Sequence, residues 1–139
     1  MTNIYLASSF ANVNLVEFAA KYLTERGHHI TTEWWHTDFK QAIQKPDVEW
    51  YKDEKVQFIS KRNFKGITDA DVLVLIGHPR EPRKYNGANI ELGFALALGK
   101  QCYSIGCLER SAMYCSVKQL EGIEELVFIL SEKYGENKQ

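Results

Sequence analysis

The stretch Asp71-Val72-Leu73-Val74-Leu75-Ile76 decides the fold. After its first residue it shows no polar alternation, which is typical of a strand buried on both faces of a parallel sheet. Further strands are predicted over residues 3–7, which end at Ser8 and Ser9, and over residues 101–105. A helix after the first strand is predicted to end at Gly27, with one apolar face formed by Leu15, Val16, Ala19, Tyr22 and Leu23.

Strand and helix patterns continue to alternate towards the carboxyl terminus. Strands are predicted over 30–35 and 126–130, with a short helix over 117–121. A longer helix is predicted over 87–98 and ends at Gly99; its predicted inward residues are Ile90, Phe94, Ala97 and Leu98. The pattern is most ambiguous over residues 36–70. There Pro46 and Asp47 indicate a helix start, and the predicted face continues through Val48, Tyr51, Val56 and Ile59.

This alternation predicts one α/β domain over residues 1–139, a three-layer sandwich with a five-stranded parallel, flavodoxin-like sheet. The polar residues 132–139 are predicted to fray. In such sheets, ligands bind at the carboxyl ends of the strands, near the point where strand order reverses. We therefore expect the site among three loops, at 8–12, 77–87 and 106–116.

Composition excludes several classes of protein. The chain is 45% apolar and 25% charged, close to the average for soluble globular proteins, which excludes collagen, coiled coils and disorder. A net charge of −1 argues against a nucleic-acid partner, and no apolar run is long enough to cross a membrane. Cys102, Cys107 and Cys115 show no C-x-x-C spacing, and we find no export signal. We therefore expect a cytoplasmic protein.

Glu91 is the first candidate for chemistry, within Gly87-Ala88-Asn89-Ile90-Glu91-Leu92-Gly93. In the first turns of a helix, the free N–H groups and the helix dipole favour its ionised form. The small residues around it leave space for a ligand, so the carboxylate could act as a nucleophile. It could equally do no more than complement the helix dipole, and spacing alone favours this second interpretation.

Other candidates have two interpretations as well. Asp71 opens a buried strand and needs a partner or a site, yet the start of a strand would ordinarily lie far from the active edge. Tyr5 lies in the first strand. The loop after it, with Ser8, Ser9 and Phe10, could hold a sugar or phosphate, or form an ordinary Ser-rich turn.

The loop at 78–84 gathers three cations, which suits an anionic ligand such as a nucleotide phosphate and equally suits a solvated surface loop. Of Trp34 and Trp35, one is expected in the core and the other could stack on a base. The four histidines lack a metal-ligand spacing, so we expect no metal.

Three segments resemble the nucleoside 2-deoxyribosyltransferase family, which includes the 2'-deoxynucleoside 5'-monophosphate N-glycosidases. They are residues 4–10, 68–74 and 86–100. The last is the most specific, because its E-L-G-x-A-x-A-x-G-K pattern holds throughout, from Glu91 to Lys100. The resemblance spans most of the chain and implies the fold already predicted from the strand pattern.

The resemblance also implies roles for single residues. Glu91 would attack the anomeric carbon, Tyr5 would orient it, and Asp71 would position the substrate or protonate the departing base. Substrate contacts are expected from Ser8, Ser9, Phe10, Asn86, Gly87, Ser111 and Met113. The segment 111–113 resembles one that family members lend to a neighbouring subunit, which implies a homodimer or higher homo-oligomer with shared active sites.

The implied activity is cleavage of the N-glycosidic bond of (deoxy)nucleosides or their 5'-monophosphates, through a glycosyl-enzyme intermediate and without a cofactor. The sugar would pass to water or to another base. Two alternatives stay open. One is a non-catalytic nucleotide-binding or sensing module, because Tyr85-Asn86-Gly87 lacks an acidic residue that the family's transferases carry there. The other is glycohydrolase action on NAD-type dinucleotides.

Overall fold

The computed structural model describes residues 1–36 and 49–134. Its strands are β1 (Asn3–Ala7), β2 (His29–Ile30), β3 (Val72–Ile76), β4 (Gln101–Ile105) and β5 (Lys118–Leu120). Its α-helices are α1 (Val13–Thr24), α2 (Glu54–Asp69), α3 (Asn86–Ala97) and α4 (Ile123–Tyr134). Short 3-10 helices cover Phe10–Asn12, Trp34–His36, Trp50–Lys52 and Ala112–Ser116. Within these two ranges, no helix is long and apolar enough to cross a membrane.

The five strands form one sheet in the order β2-β1-β3-β4-β5, with every neighbouring pair parallel. This confirms the predicted flavodoxin-like fold. Helix α1 contacts α4, and α2 contacts α3, so the helices form a layer on each face of the sheet. All five residues of β3 are buried, as its apolar run predicted. Strand order reverses between β1 and β3, which places the switch point at Ala7 and Ile76.

The strand predicted over 30–35 is wrong in its length. Strand β2 covers only His29–Ile30, and the next aromatic residues form a 3-10 turn at Trp34–His36. Trp34 is buried, and its indole Nε1 donates a hydrogen bond to the Leu6 carbonyl at 2.6 Å. Tertiary packing against the end of β1 therefore overrides the strand propensity of the aromatic run.

The two elements predicted near the carboxyl terminus are wrong. The apolar residues 126–130 lie in helix α4, and the predicted helix over 117–121 contains strand β5. Leu126 and Leu130 are buried whereas Phe128 is 65% exposed, which is the periodicity of a helix. Strand β5 escaped detection because Lys118 and Gln119 are polar and exposed at the sheet edge. Of the tail predicted to fray, residues 132–134 belong to α4 and residues 135–139 lie outside the described residues.

The inward face predicted for α3 is also wrong. Ile90 is 64% exposed and Leu98 46% exposed, whereas the buried residues of the helix are Ala88, Leu92 and Ala95. Phe94 is half-buried and Ala97 is exposed. The helix is apolar around most of its circumference, so the sequence offers no polar stripe from which to identify the inner face.

Helix α2 begins at Glu54, where the Asp53 carboxylate accepts from the backbone N–H groups of Lys55 at 2.8 Å and Val56 at 3.1 Å. The helix start predicted at residues 46 and 47, and residue 48 with it, lies outside the described residues. Of the face predicted to follow, Ile59 is buried, residue 56 is half-buried and residue 51 is exposed.

Gly66 lets helix α2 lie directly against β1. A Cβ at this position would sit 1.9 Å from Thr32 Oγ1 and 3.2 Å from Tyr5 Cδ2, so no larger residue fits without displacing one of them. Residues 60, 63 and 64 of α2 line one pocket together with residues 8–10, which follow β1. One wall of the site described next depends on the contact at Gly66.

Candidate active site

A pocket of about 410 Å³ opens at the switch point of the sheet. Its wall is formed by the loops after β1 and β3, the start of α3 and one face of α2. Among the residues predicted to contact substrate, those that line it are Ser8, Ser9, Phe10, Asn86 and Gly87. Glu91 lines the same pocket. Two of the three predicted loops thus contribute to the wall.

Tyr5 and Glu91 form a hydrogen-bonded pair in which Glu91 is half-buried and lines the pocket. Tyr5 is fully buried in β1, and its hydroxyl donates a short hydrogen bond to Glu91 Oε2. Burial and the neighbouring carboxylate raise the pKa of the Tyr5 phenol well above its ordinary value of 10.0. Tyr5 therefore stays protonated and presents a permanent donor to the carboxyl group.

Burial raises the pKa of Glu91 from 4.5 to about 7, and the hydrogen bond from Tyr5 opposes this rise. The prediction that the helix start keeps this carboxyl ionised is therefore wrong. Glu91 is the sixth residue of α3, beyond the first turn where the field of the helix is strongest, so burial outweighs it. Near neutral pH the group populates both its nucleophilic and its protonated form, a property common at catalytic sites.

The raised pKa of Glu91 predicts that stability depends on pH. The folded carboxyl keeps its proton up to about pH 7, whereas the unfolded one loses it near 4.5. This contribution to the free energy of unfolding is complete below the unfolded pKa and is lost as pH rises through the folded one. As pH rises from about 5 to about 8, the free energy of unfolding of wild type, measured with urea, should fall by roughly 2–3 kcal/mol relative to that of Glu91→Gln. If the free energy of unfolding of the two proteins changed with pH in the same way, the raised pKa of Glu91 would be contradicted.

Asp71 does not line the pocket. It is exposed at the amino end of β3, where its Oδ2 accepts a hydrogen bond from the backbone N–H of Asn3 at 3.0 Å. The carboxyl ends of the strands, where the pocket opens, lie at the other end of β3. The resemblance implied that Asp71 positions the substrate or protonates the departing base, and this is wrong for the pocket described above. Asp71 instead links the starts of β1 and β3.

Ser111 and Met113 do not line the pocket of their own chain either. Ser111 Oγ accepts from the Met113 backbone N–H at 3.3 Å and begins the 3-10 helix at 112–116, while Met113 is 76% exposed. The Tyr114 hydroxyl donates to Asn89 Oδ1 at 2.7 Å and docks this segment on α3. Their contact with the ligand of a neighbouring subunit stays a prediction.

Helix α2 contributes pocket residues that the sequence did not reveal. Ser60, Asn63 and Phe64 line the pocket together with the loop after β3. Their i, i+3, i+4 spacing on one helix face was the available signal, but a mixed polar and apolar face is common on any surface helix. Arg62 Nη2 donates to Asn63 Oδ1 at 3.2 Å, which leaves the Nδ2 group of Asn63 available as a donor.

Aromatic side chains cover one side of the pocket. Phe10 and Trp34 both line it and meet edge to face, with ring centroids 5.2 Å apart. Trp35 packs behind Trp34 at 5.6 Å, so Trp34 is the tryptophan placed to contact a ligand and Trp35 belongs to the core. An apolar, aromatic wall of this kind suits the flat face of a nucleobase.

The basic loop at 78–84 turns one cation towards the pocket. Lys84 lines it, whereas Arg83 is held by Glu81 at 3.0 Å. Over residues 1–36 and 49–134, no three His, Cys, Asp or Glu side chains cluster so that they could hold a metal ion. Among residues 1–36 and 49–134, the site therefore combines a carboxyl of raised pKa, an aromatic wall and the Lys84 ammonium group.

Comparisons with known proteins identify the family of the chain and agree with its fold. The family model described as nucleoside 2-deoxyribosyltransferase matches residues 4–124. A sequence comparison with curated proteins finds no significant match. Among solved structures, a 2-deoxyribosyltransferase from the psychrotolerant bacterium Bacillus psychrosaccharolyticus is similar, with a TM-score of 0.57, 23% identity and 89% of each chain covered. The CMP N-glycosidase BcmB of Clostridium botulinum has a TM-score of 0.56 and 17% identity, over 94% of this chain and 98% of its own.

Proposed function

Because the chain belongs to the nucleoside 2-deoxyribosyltransferase family, we propose that it cleaves the N-glycosidic bond of (deoxy)nucleosides or their 5'-monophosphates. The sugar passes to water or to a second base. The observation that carries this proposal is the Glu91 carboxyl at the pocket wall, held by the Tyr5 hydroxyl and with a pKa of about 7. A carboxyl in this state is ionised often enough to attack a sugar carbon.

The first step forms a glycosyl ester. Tyr5 holds Oε2 of Glu91, so we assign the attack to Oε1. A bond forms between Oε1 and the anomeric carbon as the bond from that carbon to the base nitrogen breaks, and its electron pair leaves with the base. The positive charge that develops on the sugar is stabilised by the adjacent carboxylate, which burial has partly desolvated.

The second step releases the sugar. Water or an acceptor base attacks the anomeric carbon from the face that the first base left, and the ester bond breaks to regenerate the Glu91 carboxylate. The attacking water or acceptor base gives up one proton to solvent, and the first base, which left with the electron pair, takes one proton from solvent. The Tyr5 hydroxyl donates to the carboxyl group throughout and favours its return to the charged form. Two displacements at one carbon retain its configuration.

The remaining pocket residues suit the other parts of such a substrate. The edge-to-face pair of Phe10 and Trp34 offers a surface for the base. Lys84 would attract a 5'-phosphate, and Asn63 would donate a hydrogen bond to a sugar or base oxygen. We also propose a homodimer or larger homo-oligomer in which Ser111 and Met113 reach a neighbouring pocket, and a cytoplasmic location; exposure of Met113 supports the first.

A chromatographic screen for free base tests the proposal. The protein is incubated with ribo- and deoxynucleosides and their 5'-monophosphates, with and without an acceptor base, and CMP is included because a structural neighbour is a CMP N-glycosidase. We expect base release from at least one substrate and none with Glu91→Gln. Nicotinamide release from NAD alone would favour the dinucleotide alternative, and tight binding without release would favour a sensing module.

A further inference from the structure

Asn12 is a buried amide that does not itself line the pocket. It is 2% exposed, and its side chain uses both ends. Its Nδ2 group donates to Ser8 Oγ at 3.2 Å and to the Tyr85 hydroxyl at 3.0 Å, while its Oδ1 accepts from Arg83 Nη1 at 3.2 Å. A buried amide with this many partners holds their geometry, because losing any of them leaves a buried polar group unpaired.

These bonds join the two loops at the switch point of the sheet. Ser8 follows β1, and its hydroxyl donates to the carbonyl of Ile76 at the end of β3 at 2.5 Å. The Tyr85 hydroxyl also accepts from the backbone N–H of His78 at 2.9 Å, so it ties the end of the loop after β3 to its beginning. We call this set, centred on Asn12 and Tyr85, the loop brace.

The loop brace holds residues on both sides of Lys84. Arg83 and Tyr85 both bond to Asn12, and residue 84 between them lines the pocket. The loop is otherwise exposed at residues 79–82. The position of the Lys84 backbone, and with it the reach of its ammonium group, therefore depends on the brace.

We propose that Asn12 is a positioning residue that sets substrate binding through the loop brace; this rests on the proposed function. The brace fixes where Lys84 and the start of α3 face the ligand. The Tyr5–Glu91 pair is held by its own hydrogen bond between β1 and the second turn of α3. Loss of the brace should therefore weaken binding of the substrate and leave the chemical step nearly unchanged.

Kinetics of three variants test this proposal. Asn12→Ala removes the amide, Tyr85→Phe removes only the hydroxyl, and the third variant combines them. We expect each single change to raise KM for a 5'-monophosphate about tenfold with kcat within about twofold, and the double variant to match Asn12→Ala, because both remove one shared unit. Asn14→Ala, at an exposed amide in the first turn of α1, should behave as wild type. An unchanged KM for Asn12→Ala, or KM effects that multiply in the double variant, would overturn the proposal.

A second measurement needs no activity. Hydrogen exchange of the His78 backbone N–H, which donates to the Tyr85 hydroxyl, should be faster in Asn12→Ala than in wild type and unchanged in Asn14→Ala. Calorimetric titration with CMP should then show weaker binding by Asn12→Ala. If wild type binds CMP but releases base from none of the screened substrates, the proposed function fails while the brace is still tested. Faster exchange with unchanged CMP affinity would overturn the brace as a binding device, and Asn12→Ser gives the same test if Asn12→Ala does not fold.

Discussion

Replacement of Glu91 by glutamine is expected to reduce base release by at least about a thousandfold. A neutral amide does not attack the anomeric carbon, and it cannot balance the positive charge that develops on the sugar. Glutamine has nearly the same shape and keeps an oxygen that can accept the hydrogen bond from Tyr5. The loss should therefore appear in kcat, measured by chromatography of the free base at saturating substrate.

The control for this variant separates chemistry from folding. At neutral pH, the urea concentration at the unfolding midpoint of Glu91→Gln should be at least as high as that of wild type, because the variant lacks an ionisable group whose charged form burial disfavours. Glu17→Gln, at an exposed glutamate of α1, makes the same chemical change far from the pocket and should keep full activity. Activity of a folded Glu91→Gln within about tenfold of wild type would exclude Glu91 as the nucleophile.

The second large effect is expected for Tyr5→Phe. The hydrogen bond from the Tyr5 hydroxyl lowers the pKa of Glu91, and burial raises it. Without the hydroxyl, burial acts unopposed and the pKa rises above about 7. Since the ionised carboxylate is the reactive form, activity at neutral pH should fall about a hundredfold, through misorientation and through protonation together.

The pH dependence of kcat/KM distinguishes these two causes. The acidic limb of the wild-type profile should have its midpoint near pH 7, and in Tyr5→Phe it should move to higher pH, so that part of the activity returns in alkaline solution. Tyr22→Phe, which changes a tyrosine of α1 whose ring packs under Arg26, should keep the wild-type midpoint. A midpoint that stays in place or moves to lower pH in Tyr5→Phe would show that the hydrogen bond does not tune Glu91.

The centre of the fold could be predicted from sequence, and its edges could not. The run at 72–76 is apolar throughout because neighbouring elements cover both of its faces, as is typical of a central parallel strand. Among the strands that the structure describes, β5 pairs with β4 alone, so it tolerates polar residues and does not stand out. At 126–130 a strand was predicted where none exists, because this unbroken apolar run of helix α4 has the composition of a buried strand.

The site was predictable where it follows a strand end. Ser8, Ser9 and Asn86 could be expected because the carboxyl ends of β1 and β3 must meet at the switch point. The wall from α2 could not, because Asn63 reaches the pocket only through the close approach at Gly66, a contact between distant parts of the chain. The raised pKa of Glu91 was equally hidden, since burial depends on the whole fold rather than on local sequence.

The covalent role of Glu91 is tested most directly by mass mapping of peptides from protein quenched in acid during turnover. We predict that the peptide carrying Glu91 gains the mass of one glycosyl group, and that Glu91→Gln treated in the same way gains none. An active protein that carries the sugar on a different residue, or that forms product with inverted anomeric configuration, would contradict this role.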